Sequence, residues 1–550
     1  MHFKKRKKIK YTFVWLLLLS IFLPMAAQSP KYEVRAVWLT TIGGIDWPRS
    51  TKADEQKQEL TATLDRLQQA GVNTVMIQAR VRATTIYPSS LEPWDVCMTG
   101  QAGRSPGYDA LQLVVDECHR RGMECHAWVV TIPVGKWNKL GCQQLRKKYP
   151  KLIRHIGEEG YMDPEQPQTG DYLAEICREI VTRYDVDGIH LDYIRYPETW
   201  PKGRRTTPAA QRRSYITSIV RKIHEAVKAE KPWVKLSCSP IGKHDDLTRY
   251  KSGGWNARSA VSQDAQLWLR EGLMDALFPM MYFQGNNFFP FAIDWQEQAA
   301  GRIVCPGLGI YFLDPREGKW TLPVVEREMH VLRQLGLGHA YFRSKFLTDN
   351  VKGVYDFAAR FDEVPALVPP MTWATDDVPA APRQLSLDET RLSWDAVEDG
   401  SGAPYMLYNV YGSLTYPVDT DDPHNLMAWR LTSTSLNVLP DRYYAVRAMN
   451  RYGREGEAVQ MGSGSEPRHK PVSGKQLYRV GNGQLRLPRP STLDAAYIVV
   501  EDMQGRQVCV LPWTPAIDLS ALPDGFYQLR SIGRKGRNHR MGFLYKRQEN

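Results

Sequence analysis

Residues 32 to 362 alternate between short apolar runs and longer amphipathic stretches, and this alternation constrains the fold more than any other feature of the chain. A strand-length run followed each time by a helix-length stretch predicts an α/β fold, and eight repeats predict a (β/α)8 TIM barrel over residues 31–362. A doubly wound open sheet is the main alternative. The glycine-rich loop of its nucleotide-binding form does not follow the first run. The runs occupy residues 34–41, 74–80, 124–130, 187–193, 234–240, 275–283, 303–311 and 339–344.

The stretches between the runs have helical spacing. Leu60, Leu64 and Leu67 recur at helical intervals in "EQKQELTATLDRLQQAG", and the pattern ends at Gly71. The spacing predicts a helix there, and similar patterns predict helices over residues 108–122 and 171–184.

The remainder of the chain predicts two small all-β modules, which are sandwich-like in pattern. A proline-rich linker is expected over residues 363–382. Residues 383–462 contain "LSW", "YNVYGS" and "YYAVRAMNRYG", and they resemble a fibronectin type III module. After a second linker at residues 463–475, the C-terminal β-module with a basic tail (residues 476–550) includes "EDMQGRQV" and "IDLSALPDGFYQLR". These motifs resemble the C-terminal sorting domain of type IX secretion substrates.

The N-terminus has the three parts of a secretory signal peptide. Six basic residues precede the apolar segment "FVWLLLLSIFL", and "PMAAQ" supplies small residues for cleavage near Ala27. Residues 1–27 are therefore predicted to direct export to the periplasm, the cell surface or the medium. An uncleaved membrane anchor is the alternative, although the apolar run is shorter than the ~20 residues that a spanning helix needs.

The charge distribution argues against a nucleic-acid partner. The net charge of +12 falls to +6 without the six basic residues of the N-terminus, and much of the remainder lies in the C-terminal tail. A nucleic-acid interface would instead combine a basic patch with aromatic side chains. A solvated tail, or a weak association with anionic polymers of the cell envelope, accounts for the excess.

The eight cysteines give no metal motif. None forms a C-x-x-C pair, and no histidines stand at zinc-finger spacing, so neither a metal nor a cofactor is predicted. A disulfide such as Cys118 with Cys142 remains an open alternative.

Asp192 is the leading candidate for chemistry. It ends the fourth barrel strand, "DGIHLDY", in which His190 and Asp192 share one face because side chains alternate along a strand. Active sites of (β/α)8 barrels lie at the carboxyl ends of the strands, which points Asp192 toward the mouth and leaves Asp187 at the structural end. The alternative role for Asp192 is to hold Arg195 or a backbone amide.

Other predicted strand ends supply polar groups beside aromatic rings. This mixture suits carbohydrate, because ring faces cover the apolar side of a sugar while polar groups bond its hydroxyls. The candidate substrate-binding residues are Gln78, Arg80, His126, Trp128, His190, Tyr282, Gln284, Tyr311 and Arg343, with Ser237 and Ser239 at the same level.

A glycosidase commonly needs a second carboxyl group. Asp245 and Asp246 follow the fifth strand, Asp294 follows the sixth and Asp314 the seventh. Proximity to a strand end favours Asp314 and Asp245 as the catalytic partner. An N-cap role for Asp314 and a solvated loop for Asp245 are the alternatives.

Residues 32–345 resemble the glycosyl hydrolase-like family 10, once called domain of unknown function 187. The matching motifs include "EVRAVWLTT", "GVNTVMIQAR", "HRRGMECHAW", "GYMDP" and "VTRYDVDGIHLDYIRYP". The resemblance implies a (β/α)8 fold and hydrolysis of a cell-envelope glycan, with peptidoglycan glycan strands as one target class. The family commonly has an acidic element where this chain reads "VRATT", and paired aspartates where only Asp192 stands.

The sequence thus supports two functions from different classes. An exported glycoside hydrolase would act through Asp192 and a second carboxylate. A non-catalytic carbohydrate-binding envelope protein would use the same barrel in degenerate form. A carboxyl group within about 10 Å of Asp192 would favour the enzyme.

Overall fold

A computed structural model describes residues 29–201, 207–250, 255–388, 390–439 and 442–461, and it describes parts of the segment 476–546. The chain divides into two compact units, residues 1–369 and 370–550. The predicted signal peptide and the linker at residues 463–475 lie outside the described residues.

Each of the eight predicted apolar runs contains strand structure. The strands of the first unit are β1 Arg35–Leu39, β2 Thr74–Arg80, β3 Glu124–Val130, β4 Pro133–Lys136, β5 Ile153–Ile156, β6 Glu159–Met162, β7 Gly188–Asp192, β8 Lys235–Cys238, β9 Ala276–Leu277, β10 Ile303–Val304, β11 Gly307–Leu308 and β12 His339–Tyr341.

The main sheet contains nine parallel strands in the order β10-β9-β8-β7-β3-β2-β1-β12-β11. Its two end strands are neighbours in the chain, because only Cys305 and Pro306 separate β10 from β11. Gly307 of β11 also forms a parallel bridge to Met280, just beyond β9. The segment 303–308 therefore pairs with β9 near one end of the sheet and with β12 near the other. The prediction of a parallel α/β sheet is confirmed.

Helices connect these strands, and their apolar faces are buried. The helices are α1 Ala53–Gln69, α2 Ala110–Arg120, α3 Leu140–Lys148, α4 Pro167–Arg183, α5 Ala209–Glu230, α6 Ala257–Ala260, α7 Ala265–Arg270, α8 Phe289–Glu297, α9 Leu322–Gln334, α10 Ser344–Thr348 and α11 Val354–Phe361. Short 3-10 turns include Ile42–Gly44, Val96–Met98, Gly285–Asn287, Ile310–Leu313 and Val351–Gly353.

The predicted helix boundaries follow from local chemistry. Leu60, Leu64 and Leu67 are fully buried on one face of α1. Gly71 has a φ of 77°, and a Cβ there would lie 2.5 Å from the Cβ of Asp362, so both backbone and space require glycine after this helix. The Asp109 carboxylate accepts a hydrogen bond from the Gln112 amide at 3.1 Å and caps α2.

A small antiparallel sheet follows β3 and was not predicted. Its order is β4-β6-β5, and β6 pairs with both neighbours. Cys142 packs directly against Gly160 of β6. A Cβ on Gly160 would lie 2.6 Å from the Cys142 sulfur, so a larger residue does not fit there. The sheet lies in the connection between β3 and α4, at the carboxyl end of the main sheet.

Buried ion pairs hold the opposite end of the sheet. Glu33 and Asp362 accept hydrogen bonds from Arg333, and Glu33 also accepts one from Arg35 at 2.7 Å. The atoms of Glu33, His339 and Asp362 that could bind a metal ion lie within 4.8 Å of one another. Because Arg35 and Arg333 already supply positive charge to these carboxylates, we regard the cluster as an ion-pair network rather than a metal centre.

The second unit consists of all-β modules. Its strands are β13 Ser386–Asp388, β14 Arg391–Ser393, β15 Leu407–Ser413, β16 Leu426–Leu431, β17 Ser435–Asn437, β18 Tyr443–Met449, β19 Val459–Gln460, β20 Gln476–Val480, β21 Gln484–Arg486, β22 Ala495–Glu501, β23 Gln507–Pro512, β24 Ala516–Asp518, β25 Gly525–Gly533 and β26 Asn538–Lys546.

These strands form two groups of sheets. The first group pairs as β13-β14-β17 and β16-β15-β18-β19, around a core that includes Trp394 and Tyr408. The second pairs as β20-β26-β25-β22-β23 and β21-β24. The likeness to fibronectin type III and sorting modules stays a prediction.

Among the described residues, no helix combines the length and apolar character needed to cross a membrane. The eight cysteines are all free thiols, so the Cys118–Cys142 bond that the sequence left open is not formed in this structure.

Glu328 of α9 should make stability depend on pH. Its side chain is fully buried, neither carboxylate oxygen has a hydrogen-bond partner among the described residues, and burial raises its pKa to about 9. The unfolded chain binds this proton only below an ordinary pKa of about 4.3. The contribution of protonated Glu328 to the free energy of unfolding is therefore complete below about pH 4.3. It is lost as the pH rises toward 9, by up to about 1.4 kcal/mol per pH unit.

Glu328→Gln keeps the shape and removes the titration. We expect its melting temperature to exceed that of the unmodified protein at pH 8, with a difference that shrinks toward pH 5. Glu326→Gln on the same helix, where the side chain is only partly buried, is the matched control. Parallel pH profiles for the unmodified protein and Glu328→Gln would contradict the expectation.

Candidate active site at the carboxyl ends of the strands

The candidate site lies where β3, β7 and β8 end side by side. The register pairs Trp128 with His190 and Val130 with Asp192 across β3 and β7. His190 also pairs with Ser237 across β7 and β8. Because the strands are parallel, Trp128, Asp192 and Ser239 emerge at one edge, as the sequence predicted.

Neutral donors hold the Asp192 carboxylate. Trp128 donates its indole N–H to Oδ2 at 3.2 Å, and Ser239 donates its hydroxyl to Oδ1 at 3.2 Å. The Tyr193 amide donates to Oδ1 at 2.7 Å. Thr131 donates two bonds to the backbone carbonyl of Asp192, which fixes the strand end beneath the side chain.

Asp192 is suited to hold a proton. It is 8% exposed, and burial raises the pKa of its carboxyl group. The charge of Arg195 and the hydrogen bonds from Tyr193, Ser239 and Trp128 oppose this effect only in part. A carboxyl group that stays protonated to a higher pH than usual can act as a general acid.

His190 lies in the buried floor of the site and does not line its opening. It is fully buried, and its Nε2 accepts a hydrogen bond from the Trp38 indole at 3.1 Å. Its Nδ1 lies 3.0 Å from the hydroxyl of Ser237, which in turn donates to the Ile189 carbonyl. Burial lowers the pKa of His190 well below its ordinary value, so the imidazole is neutral and serves as a fixed hydrogen-bonding spacer.

Aromatic side chains form one side of the site. Tyr282 stacks on Phe342 with ring centres 5.2 Å apart, and it meets Tyr311 edge-on at 5.7 Å. Phe342 also contacts Trp38, which links this group to His190. The structure thus brings together Tyr282 and Tyr311, two residues predicted to bind sugar.

The Tyr282 hydroxyl is buried and has no hydrogen-bond partner among the described residues. Burial raises the pKa of Tyr282 well above its usual range, and the charge of Asp192 adds to this effect. Tyr282 is therefore a neutral phenol at neutral pH. Burial raises the pKa of Tyr311 to about 12.

Gln78 and Arg80, which the sequence predicted as sugar contacts, hold neighbouring loops. The Gln78 side-chain oxygen accepts hydrogen bonds from the amides of Thr41 and Ile42 at 3.0 and 2.8 Å. Arg80 is fully buried and donates to both oxygens of Glu92 and to the carbonyls of Val130 and Thr131.

His126 lies deeper in the sheet than predicted. It faces Gly188, where a Cβ would lie 2.6 Å from the imidazole Nδ1. Its Nε2 lies 3.1 Å from Glu124, which also forms an ion pair with Lys235 at 2.8 Å. Asp192 is four residues beyond Gly188, roughly 13 Å along the strand. The structure therefore does not bring His126 to the Asp192 carboxylate.

The two remaining predicted contacts lie on loops. Arg343 follows β12 and forms an ion pair with Asp46, a buried carboxylate in the loop after β1. Burial raises the pKa of Asp46, and Arg343 opposes the effect. Gln284 is exposed and precedes the 3-10 turn Gly285–Asn287.

Both candidates for a second carboxylate are held by arginines. Arg316 donates to Asp314 at 3.0 and 2.7 Å, and these hydrogen bonds lower the pKa of Asp314 to about 2. Arg258 donates to Asp245 at 2.9 Å. Partial burial raises the pKa of Asp245, but the bonds from Arg258, Asp246 and Ser259 outweigh it and lower the pKa. Both groups are therefore ionised at neutral pH.

Sequence reasoning missed several residues that shape the site. Trp38 and Phe342 lie within predicted strands, and their aromatic character was the available signal. Arg195 is 3% exposed, donates to Glu198 at 2.8 Å and places a positive charge near Asp192. The pairing of Arg80 with Glu92 had no signal in the strand pattern, because Glu92 belongs to the loop after β2.

A buried carboxyl group at the end of a parallel strand, flanked by aromatic side chains, is an arrangement that glycoside hydrolases with α/β sheets use. Residues 33–311 match the family described as Glycosyl hydrolase-like 10. The chain belongs to this glycosyl hydrolase-like family, as the sequence motifs predicted.

Two similar proteins are named glycosyl hydrolases. Glycosyl hydrolase YngK of Bacillus subtilis (strain 168) is 30% identical over 402 residues, which is 66% of this chain and 78% of that protein. Glycosyl hydrolase DigH of Escherichia coli (strain K12) is 32% identical over 303 residues, covering 47% of this chain and 68% of that protein.

Solved structures are more distant. The PgaB (BpsB) glycoside hydrolase domain from Bordetella bronchiseptica is 15% identical with a TM-score of 0.43, and the match covers 62% of this chain and 100% of that domain.

Arg80→Met should destabilise the fold rather than merely weaken ligand binding. It leaves Glu92 buried without its cation, which typically costs roughly 3–5 kcal/mol. Denaturant unfolding measures the loss, and the double variant Arg80→Met/Glu92→Leu should recover part of it. An Arg80→Met protein with unchanged stability and weakened glycan binding would instead support the predicted role as a sugar contact.

Proposed function

We propose that this chain is an exported glycoside hydrolase that acts on a glycan of the cell envelope or the environment. Peptidoglycan glycan strands are the first substrate class to test. The observation that carries the proposal is the Asp192 carboxyl group, which is buried beside the Trp128 indole and whose pKa burial raises above that of an ordinary aspartate. The family, in which the relatives are called glycosyl hydrolases, supports the reaction class.

In this proposal the strands form a closed (β/α)8 barrel with the site at its carboxyl ends. The double pairing of the segment 303–308 supports closure. Tyr282, Tyr311 and Trp128 would cover the apolar face of a sugar, while Ser239 and Gln284 offer polar groups to its hydroxyls.

Asp192 would donate a proton to the glycosidic oxygen as the bond to the anomeric carbon breaks. In a two-carboxylate mechanism an ionised partner would attack that carbon or activate water. Asp314 and Asp245 remain the candidates named by the sequence, and their arginines keep them ionised. A separation of about 5 Å from Asp192 would predict retention, and about 6.5–9.5 Å inversion.

A non-catalytic carbohydrate-binding protein is the second candidate function. The observation that favours it is the commitment of Asp245 and Asp314 to arginine contacts, together with Val81, Arg82 and two threonines in place of the acidic element common in the family. Such a protein would bind glycans through the same aromatic side chains without cleaving them. Export and attachment through the C-terminal β-modules would be compatible with either function.

Asp192→Asn is the direct test of the hydrolase. The amide keeps the shape of the carboxyl group but cannot donate the catalytic proton, so kcat on denuded peptidoglycan glycan strands should fall by roughly 10²–10⁴-fold. Product release followed by chromatography measures the rate, and the melting temperature checks the fold. Undiminished cleavage by a folded Asp192→Asn protein would rule out the assignment.

The pH profile of the unmodified protein provides a second readout. The protonated form of Asp192 is the active one, so activity is full below its pKa and lost above it. Burial raises this pKa, which places the alkaline limb above the value of about 3.9 for an ordinary aspartate. Glycan binding without turnover at any pH would favour the carbohydrate-binding alternative.

A further inference from the structure

The unpartnered hydroxyl of Tyr282 points to a missing ligand group. Its oxygen is buried without a hydrogen bond from any described residue, although its ring is fixed between Phe342 and Tyr311. A buried hydroxyl that lacks a partner costs free energy, and a substrate atom can complete it. Asp192 and Tyr282 lie at the same edge of the sheet: Ser239 donates to Asp192, and Ile241, two residues further on, forms a parallel bridge to Met280, two residues before Tyr282.

Four carboxylates on loops that follow the strands are committed to arginines. The ion pairs are Arg343 with Asp46, Arg195 with Glu198, Arg258 with Asp245, and Arg316 with Asp314. The stretches of the first unit outside the described residues, 1–28, 202–206 and 251–254, contain no aspartate or glutamate. A carboxylate from these four would have to leave an arginine before it could attack a sugar.

We propose that the substrate itself supplies the second reactive group, as a 2-acetamido sugar bound with its acetamido carbonyl oxygen accepting a hydrogen bond from Tyr282. The inference rests on the proposed role of Asp192 as proton donor. The phenol of Tyr282 is neutral and therefore donates, which holds the carbonyl oxygen in position to attack the anomeric carbon. Phe342 and Trp128 provide apolar surface for the acetamido methyl group.

The proposed first step forms a cyclic ion. The carbonyl oxygen bonds to the anomeric carbon, the glycosidic bond breaks, and the Asp192 proton passes to the leaving oxygen. In the second step the Asp192 carboxylate takes a proton from water, and the water oxygen bonds to the anomeric carbon. The bond to the carbonyl oxygen breaks as the water oxygen attacks, which restores the acetamide and retains the anomeric configuration, and the proton taken from water leaves Asp192 protonated again. One carboxyl group thus serves as acid and then as base.

The experiment compares three forms of denuded peptidoglycan glycan strands: untreated, chemically de-N-acetylated, and de-N-acetylated then re-N-acetylated. We expect the unmodified protein to cleave the first and third forms and to cleave the second at least ~100-fold more slowly, as is typical when a well-oriented intramolecular group is removed. Calorimetry with N-acetylglucosamine-thiazoline, an analogue of the cyclic ion, measures recognition of the acetamido group without turnover.

Tyr282→Phe removes the hydroxyl and keeps the ring. We expect it to lower kcat on untreated strands roughly 10²-fold, as loss of one preorganised donor does, and to weaken thiazoline binding by at least ~10-fold. Tyr355→Phe is the matched control, because the Tyr355 hydroxyl bonds to the Arg66 carbonyl on the outer helices. The control should retain both activities, and melting temperatures establish that both variants fold.

Equal cleavage of acetylated and de-N-acetylated strands would overturn the inference and leave the hydrolase standing. Loss of cleavage in a folded Asp314→Asn or Asp245→Asn protein would do the same, in favour of two carboxylates. Thiazoline binding that depends on Tyr282, without cleavage of any strand, would support the acetamido site and count against the hydrolase. Absence of both cleavage and thiazoline binding would overturn the inference.

Discussion

A carboxyl group buried among neutral donors is the interaction on which the candidate site depends. Three other buried carboxylates of the first unit face cations: Glu92 faces Arg80, Glu124 faces Lys235, and Glu33 faces Arg333. Asp192 instead receives bonds from an indole, a hydroxyl and a backbone amide, with Arg195 only nearby. Ion pairs keep carboxylates charged, whereas neutral donors allow protonation without leaving a buried cation unpaired.

The parallel sheet explains why these neutral groups meet. Trp128 and Asp192 lie on β3 and β7, and Ser239 directly follows β8. These strands are far apart in sequence, yet parallel pairing brings their carboxyl ends to one edge. The same alternation that directs them into the site directs His190 beneath them, where Trp38 and Ser237 hold its ring. The position of Asp192 is thus fixed by a backbone contact from Thr131 and by packing below it, rather than by a mobile loop residue.

Much of this arrangement could be predicted from the sequence, because strand position and facing follow from residue patterning. The runs 74–80 and 124–130 coincide with β2 and β3, and Asp192 ends β7 as expected. The partners of Arg80 and Gln78 could not be predicted, since Glu92, Thr41 and Ile42 lie on loops whose paths no periodicity encodes. The pairing of His126 with Glu124 was within reach, because both residues lie on the same face of β3.

The origin of the raised pKa bears on how the site could work. A second ionised carboxylate close by would raise the pKa of Asp192 by repulsion, as in paired-carboxylate sites. Here burial is the influence that raises it, while Arg195 and the neutral donors lower it. The acidity of Asp192 can therefore be understood without a neighbouring negative charge. In the proposed reaction, a sugar that displaces water from the site would desolvate the carboxyl group further and so raise its pKa again.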